Sequence, residues 1–119
     1  MGVVKANAYG NGSVTVSRKL EELGAEYLAV ACVDEAAELR AAGIKIPILV
    51  LGDTPAGCAG DLLKLDLTQN VPDLETTQAL SAAAVAAGRT MKVHMKVDTG
   101  MSRLGFLCEI GRASCRERV

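Results

Sequence analysis

The chain has 119 residues, half of them hydrophobic, with only 3% aromatic residues and no Trp, so a core must be packed from Val, Leu, Ile and Ala. A net charge of −1, with acids and bases mixed along the chain, gives no electrostatic footprint for nucleic acid or an anionic membrane. Apolar runs fall far short of the roughly 18 residues of a membrane span, no secretory leader precedes the first strand-like run, and four cysteines without metal-ligand spacing read as reduced thiols, with no metal site expected.

In chain order, Val3 to Lys5 reads as a strand end. Ser13 is placed to cap a helix from about Val14 to Leu23, with Gly24 as its stop. "YLAVA", residues 27 to 31, is a buried strand. A helix follows over "VDEAAELRAAG", with Asp34 as the expected cap and Gly43 as terminator. "IPILVLG", residues 46 to 52, is the clearest strand in the chain. A short helix covers about Ala56 to Leu63, and "LDLTQN" is a weaker strand. Pro72 and Asp73 begin a long alanine-rich helix that ends at Gly88. "MKVHMKVD", residues 91 to 98, alternates apolar and polar residues and reads as one strand.

This β-α-β-α-β-α-β-α-β order implies parallel strands joined by helical crossovers, with continuously apolar strands covered on both faces. A doubly wound sheet and a (β/α) barrel both fit the pattern. The missing GxGxxG after the first strand lowers the dinucleotide-binding option.

Two stretches carry candidate chemistry. In "VVKANAYGNG", residues 3 to 12, a strand ends on Lys5, where barrel active sites lie, and a neutral amine there can bond to an aldehyde cofactor. Tyr9 offers a phenol, and Gly10 and Gly12 allow close approach of backbone to a ligand. In "KVDTGMSRLGF", residues 96 to 106, Arg103 presents a planar fork of donors suited to a phenolate or carboxylate. Lys96 shares a strand face with His94 and Asp98. Taken alone, Lys5 reads first as a snorkelling surface lysine, Arg103 as readily as a solvated loop residue and Lys96 as half of a salt bridge.

"VVKANAYGNG" resembles the cofactor-lysine motif of bacterial alanine racemases, and "KVDTGMSRLGF" resembles the second signature of that family. The intervening "LAVACVDEAAELRAAGI" and "PILVLG" are also similar to it, so the likeness covers residues 2 to about 107. The resemblance implies an α/β fold, a (β/α)8 TIM-type barrel of which about five of eight units are present, followed in the family by a β-domain absent from this chain. It implies residues 1–108 as that partial barrel, a segment preceding Met1, and pyridoxal 5′-phosphate as cofactor. Carried over, Lys5 is the lysine that bonds the cofactor and one of two acid/base residues. Tyr9 is the phenol at the cofactor phosphate, and Leu51 an apolar wall of the pocket. Arg103 lies at the phenolic oxygen and the substrate carboxylate, and Lys96 matches a position carbamylated in some members. Ser102 stands where glycine is common.

The implied activity is interconversion of L- and D-alanine by two-base proton exchange in a cytoplasmic homodimer that supplies D-alanine for peptidoglycan. A serine or broad-specificity racemase, and a non-catalytic pyridoxal-phosphate barrel protein, are the alternatives. Because the opposing base is expected outside this chain, the chain alone is expected to be inactive. "EIGRASCRERV", residues 109 to 119, resembles the translation of a sequencing adapter and is expected to lie outside the fold.

Overall fold

Short aliphatic strands, each followed by a helix, leave one way to hide their apolar surface: the strands pair side by side and the helices cover them. A computed structural model shows this arrangement and describes residues 1–107, so the segment 109–119 assigned to an adapter lies outside the described residues. Strands β1 (Gly2–Val3), β2 (Leu28–Val30), β3 (Ile48–Val50), β4 (Thr68–Val71) and β5 (Lys92–Met95) form a parallel sheet in the order β1-β2-β3-β4-β5. Every strand pairs with the next in sequence. A doubly wound sheet reverses its order at a switch point, whereas a barrel wall runs on without reversal. The strand order therefore separates the two architectures that periodicity left open, in favour of the barrel.

The helices are α1 (Lys5–Tyr9), α2 (Ser13–Glu22), α3 (Val33–Ala41), α4 (Ala59–Lys64, preceded by a 3-10 turn at Ala56–Cys58) and α5 (Leu74–Ala86). A Cβ added to Gly2 would lie 2.5 Å from Leu20 Cδ1, so Gly2 faces α2. Register then sorts the strands: Gly2, Leu28 and Ile48 form one row toward the helices, and Val3, Ala29, Leu49, Thr68 and Lys92 a row on the other face. Val4, Leu28, Val30, Ile48, Val50 and Val71 pack with Leu39, Leu62 and Leu80 of the helices in a single buried cluster. The helices thus share one face of the sheet, as in a barrel wall. On the other face Tyr27 Oη lies 2.8 Å from Thr68 Oγ1, and the Tyr27 and His94 rings are 5.7 Å apart.

Several local expectations hold. Asp73 caps α5, its Oδ1 accepting from Thr76 N–H at 2.7 Å. Gly24, Gly43 and Gly88 follow α2, α3 and α5 with positive φ. Cys32 and Cys58 are free thiols. Others are corrected. Neither Ser13 nor Asp34 caps its helix: Gly12 and Cys32 hold those positions, and the Ser13 N–H donates to Asn7 Oδ1 at 2.9 Å. The strand expected over residues 91 to 98 breaks at Lys96. Beyond it β6 (Val97–Asp98) pairs with β7 (Phe106–Leu107) in a separate parallel ladder.

Candidate active site at the carboxyl rim of the sheet

Lys5 follows β1 and is half-buried, and among the described residues its amine has no hydrogen-bond or ion-pair partner. The chain then does something that nothing in "KANAY" announces. Ala6, Asn7, Ala8 and Tyr9 all adopt left-handed backbone, with φ between 50° and 56°, so α1 is a left-handed turn. Left-handed helix costs an L-residue about 1–2 kcal/mol each, so such a turn persists only when its surroundings over-determine it. Here they do. Ala8 N–H donates to Val4 C=O at 3.0 Å, Gly12 N–H to Asn7 C=O at 2.9 Å, and the Asn11 side chain to Ala8 C=O at 3.0 Å. Ala8 is buried at 4% exposure, while Tyr9 is 64% exposed at the end of the turn. The turn leaves Tyr9 largely exposed four residues on from Lys5.

A polar network shapes the rim beside β3. Gln69, fully buried, donates to Gly52 C=O and Asn70 C=O, both at 2.7 Å, and accepts from Thr54 Oγ1. Asn70 Nδ2 donates to Leu51 C=O at 3.1 Å. Leu51 N–H donates to Val30 C=O at 2.8 Å, so the half-buried Leu51 is held from both neighbouring strands. Gly52 is required where it stands, because a Cβ there would lie 2.3 Å from Ala31 O.

At the far edge, Lys96 links the two ladders. Its N–H donates to Val71 C=O at 3.0 Å and its C=O accepts from Phe106 N–H at 2.8 Å. Gly105 allows this approach, since its Cβ would lie 2.8 Å from Asp98 N. Asp98 Oδ1 accepts from Gly100 and Ser102 N–H, both at 3.0 Å, folding the loop that carries the exposed Arg103. The Ser102 and Gly100 N–H groups, with the Lys96 charge adding to them, hold the Asp98 carboxyl below the usual carboxylate range. Ser102 has φ 57°, a left-handed position that suits glycine better.

Lys5, Leu51 and Lys96 therefore occupy the carboxyl ends of β1, β3 and β5 on one rim, with Tyr9 and Arg103 on the loops beyond. Lys5 and Lys96 sit at opposite edges of the sheet, four strand steps apart, or about 19 Å if the sheet were flat, a span that barrel curvature shortens. Two contributors were missed from sequence. Glu35 and Asn7 bind backbone around the Lys5 turn, and their only sequence signals were an acid in the first turn of α3 and an Asx residue in the motif.

Residues 1–117 match the family described as alanine racemase, N-terminal domain. The chain belongs to this alanine racemase family. It is 49% identical to alanine racemase 2 of Caldanaerobacter subterraneus subsp. tengcongensis over 106 residues, covering 89% of this chain and 27% of that protein. It is 49% identical to the alanine racemase of Desulfovibrio desulfuricans, covering 95% of this chain and 30% of that one. Among solved structures, the alanine racemase of Clostridium difficile 630 in complex with cycloserine superposes with a TM-score of 0.91 at 43% identity, covering 96% of this chain and 32% of that one. A histidine racemase from Leuconostoc mesenteroides subsp. sake superposes with a TM-score of 0.88 at 32% identity, over 96% of this chain and 31% of that one. The chain thus spans about a third or less of the relatives it matches.

The alanine racemase family is pyridoxal-phosphate-dependent, and its N-terminal domain is a TIM-type barrel, of which the five-strand wall is a part. The residues present fit that cofactor. A half-buried lysine with no hydrogen-bond or ion-pair partner among the described residues stands at the rim, with an exposed phenol four residues on and an exposed arginine on the loop after β6, and an amine, a phenol and a guanidinium are the groups that an aldehyde, a phosphate and an anionic oxygen call for.

Proposed function

We propose that this chain is the cofactor-lysine portion of an alanine racemase that interconverts L- and D-alanine. The observation that carries it is Lys5: half-buried, unpartnered, and followed at once by a costly left-handed turn at the carboxyl end of β1. Lys5 is the residue that would hold the aldehyde of pyridoxal phosphate, and once the substrate amine takes its place on that carbon, the freed Lys5 amine would move the Cα proton on one face of the substrate. Tyr9 would donate its phenol to the cofactor phosphate, Leu51 would wall the pocket, and Arg103 would offer its fork to the phenolic oxygen and the substrate carboxylate. Lys96, carbamylated, would give Arg103 an anionic partner. Bound cofactor supplies the electron sink that acidifies the Cα–H. Racemisation needs a base on each face, so a second base comes from outside this chain, from the partner in a homodimer.

D-alanine for peptidoglycan is the product that this activity would provide, and the cytoplasm its place. The cycloserine complex of the Clostridium difficile enzyme fits an amino-acid-sized site in this family. A second reading has its own observation. The same wall occurs in a histidine racemase at 32% identity, so the barrel motifs by themselves are compatible with a different or broader amino-acid substrate, serine included. A non-catalytic pyridoxal-phosphate barrel is the weaker alternative, because Arg103 would then have no substrate to orient. The test is turnover in the full-length enzyme. L-alanine should give D-alanine in a coupled oxidase assay, with Lys5→Ala abolishing it and L-histidine and L-serine reacting far more slowly. Equal or faster turnover of histidine or serine would contradict the alanine assignment.

A further inference from the structure

We infer that Glu35 is a positioning residue for Lys5, an inference that rests on the assignment of Lys5 as the cofactor lysine. The parallel ladder between β1 and β2 runs from Gly2 N–H to Tyr27 C=O and from Val4 N–H to Ala29 C=O, each 2.9 Å. One further step would pair Ala6 N–H with Ala31 C=O, and Ala31 N–H with Val4 C=O. Neither bond forms. Val4 C=O instead accepts Ala8 N–H at 3.0 Å and so closes the left-handed turn, while Ala31 C=O accepts Gly52 N–H at 3.0 Å.

The two amides thereby released both go to Glu35. Ala6 N–H donates to Oε1 at 3.1 Å and Ala31 N–H to Oε2 at 2.8 Å. A carboxylate is suited to this, with two acceptor oxygens and no hydrogen to oppose either donor. Glu35 therefore stands in place of a ladder rung at the point where β1 leaves β2. Lys5 is the residue between the last true rung, at Val4, and the amide that Glu35 grips, at Ala6. Its backbone is fixed on both sides while its side chain stays unpartnered. A favourable charge at the start of α3 does not explain this, since Asp34 provides one from the same turn without touching the β1 end.

The test compares the full-length enzyme with Glu35→Gln, which keeps the shape but replaces one acceptor with a donor, and with Glu35→Ala. Amide hydrogen exchange on the cofactor-free protein should quicken by about tenfold or more at Ala6 and Ala31, the scale of losing a hydrogen bond to a charged acceptor, and stay unchanged at Leu28 to Val30 and Ile48 to Val50. Covalent attachment of added pyridoxal phosphate to Lys5, followed by visible absorbance and borohydride trapping, should slow by about tenfold as well. Protection and attachment at the unsubstituted level in Glu35→Gln would overturn the role of Glu35. Exchange rising evenly across the sheet would also overturn it, reducing Glu35 to a general stabiliser. Trapped label missing from Lys5 in the unsubstituted enzyme is a different result, and overturns the cofactor assignment itself.

Discussion

Asp98 shows how one side chain at the rim can govern another. It receives two backbone N–H groups from the loop that carries Arg103, and these bonds favour its ionised form. A depressed carboxyl contributes stability that is fully present above its unfolded pKa, about 3.9, and is lost as pH falls through its lower folded value. The loop over residues 98–103 should therefore keep its order at pH 5 and lose it in the acid range below about pH 4. Amide exchange at Gly100 and Ser102 followed against pH checks this, and protection independent of pH down to unfolding would contradict it. Arg103 itself should tolerate no loss of its fork: Arg103→Lys keeps the charge, yet kcat/KM of the full-length enzyme should fall by roughly two orders of magnitude. Near-normal turnover would argue against a role at the substrate. Among single residues, Lys5, Tyr9 and Arg103 were singled out because they stand in the two motifs that resemble the family's signatures, since taken alone their types point as readily to surface residues. Glu35 was not, because its work is done on backbone amides 29 and 4 positions away, and a sequence does not display such partners.

At the scale of elements, Arg40 of α3 holds the amino-terminal side of the wall together. Its Nε donates to Leu65 C=O at 2.9 Å, and its Nη1 to Ile44 and Ile46 C=O at 2.8 and 2.9 Å. These bonds tie α3 to the turns that lead into β3 and β4. Burial lowers the guanidinium pKa from its usual value, and the Asp66 and Glu21 charges oppose that. Arg40→Ala leaves these carbonyls without their cationic donor and should lower unfolding stability by about 2–4 kcal/mol. Denaturant titration measures it, and a loss under about 0.5 kcal/mol, the range of a surface change, would show the staple to be idle.

Helices α2, α3 and α5 were legible from their glycine stops and strands β2 and β3 from their apolar runs, although α2 buries Ser13 and Ser17 and leaves Leu23, expected on its apolar face, 72% exposed. The left-handed turn was not, since Ala and Tyr carry no local preference for it and tertiary hydrogen bonds impose it. Strand β4 was faint for a related reason. Gln69 and Asn70 look like surface residues, yet both are buried with their amides engaged on backbone carbonyls. The break at Lys96 was hidden by an alternation that continues through it, while the ladder partner changes from β4 to β7.

On the scale of the whole molecule, a wall of five strands closes no barrel. Val93 on β5 is 42% exposed, as is Val3 on β1, and His94 lies open on the inner face. Among the described residues, such a wall holds the rim residues without enclosing a substrate or placing a second base across from Lys5. Residues 1–119 alone, given pyridoxal phosphate and L-alanine, should therefore form D-alanine no faster than free cofactor does. Excess turnover that Lys5→Ala removes would show that half a barrel suffices. The most direct measurement of all is where the cofactor attaches. Borohydride reduction of the full-length enzyme loaded with pyridoxal phosphate, followed by peptide mass analysis, should place a pyridoxyl group on Lys5. A label on Lys92 or Lys96 instead, with Lys5 unmodified, would contradict the assignment on which the proposed chemistry depends.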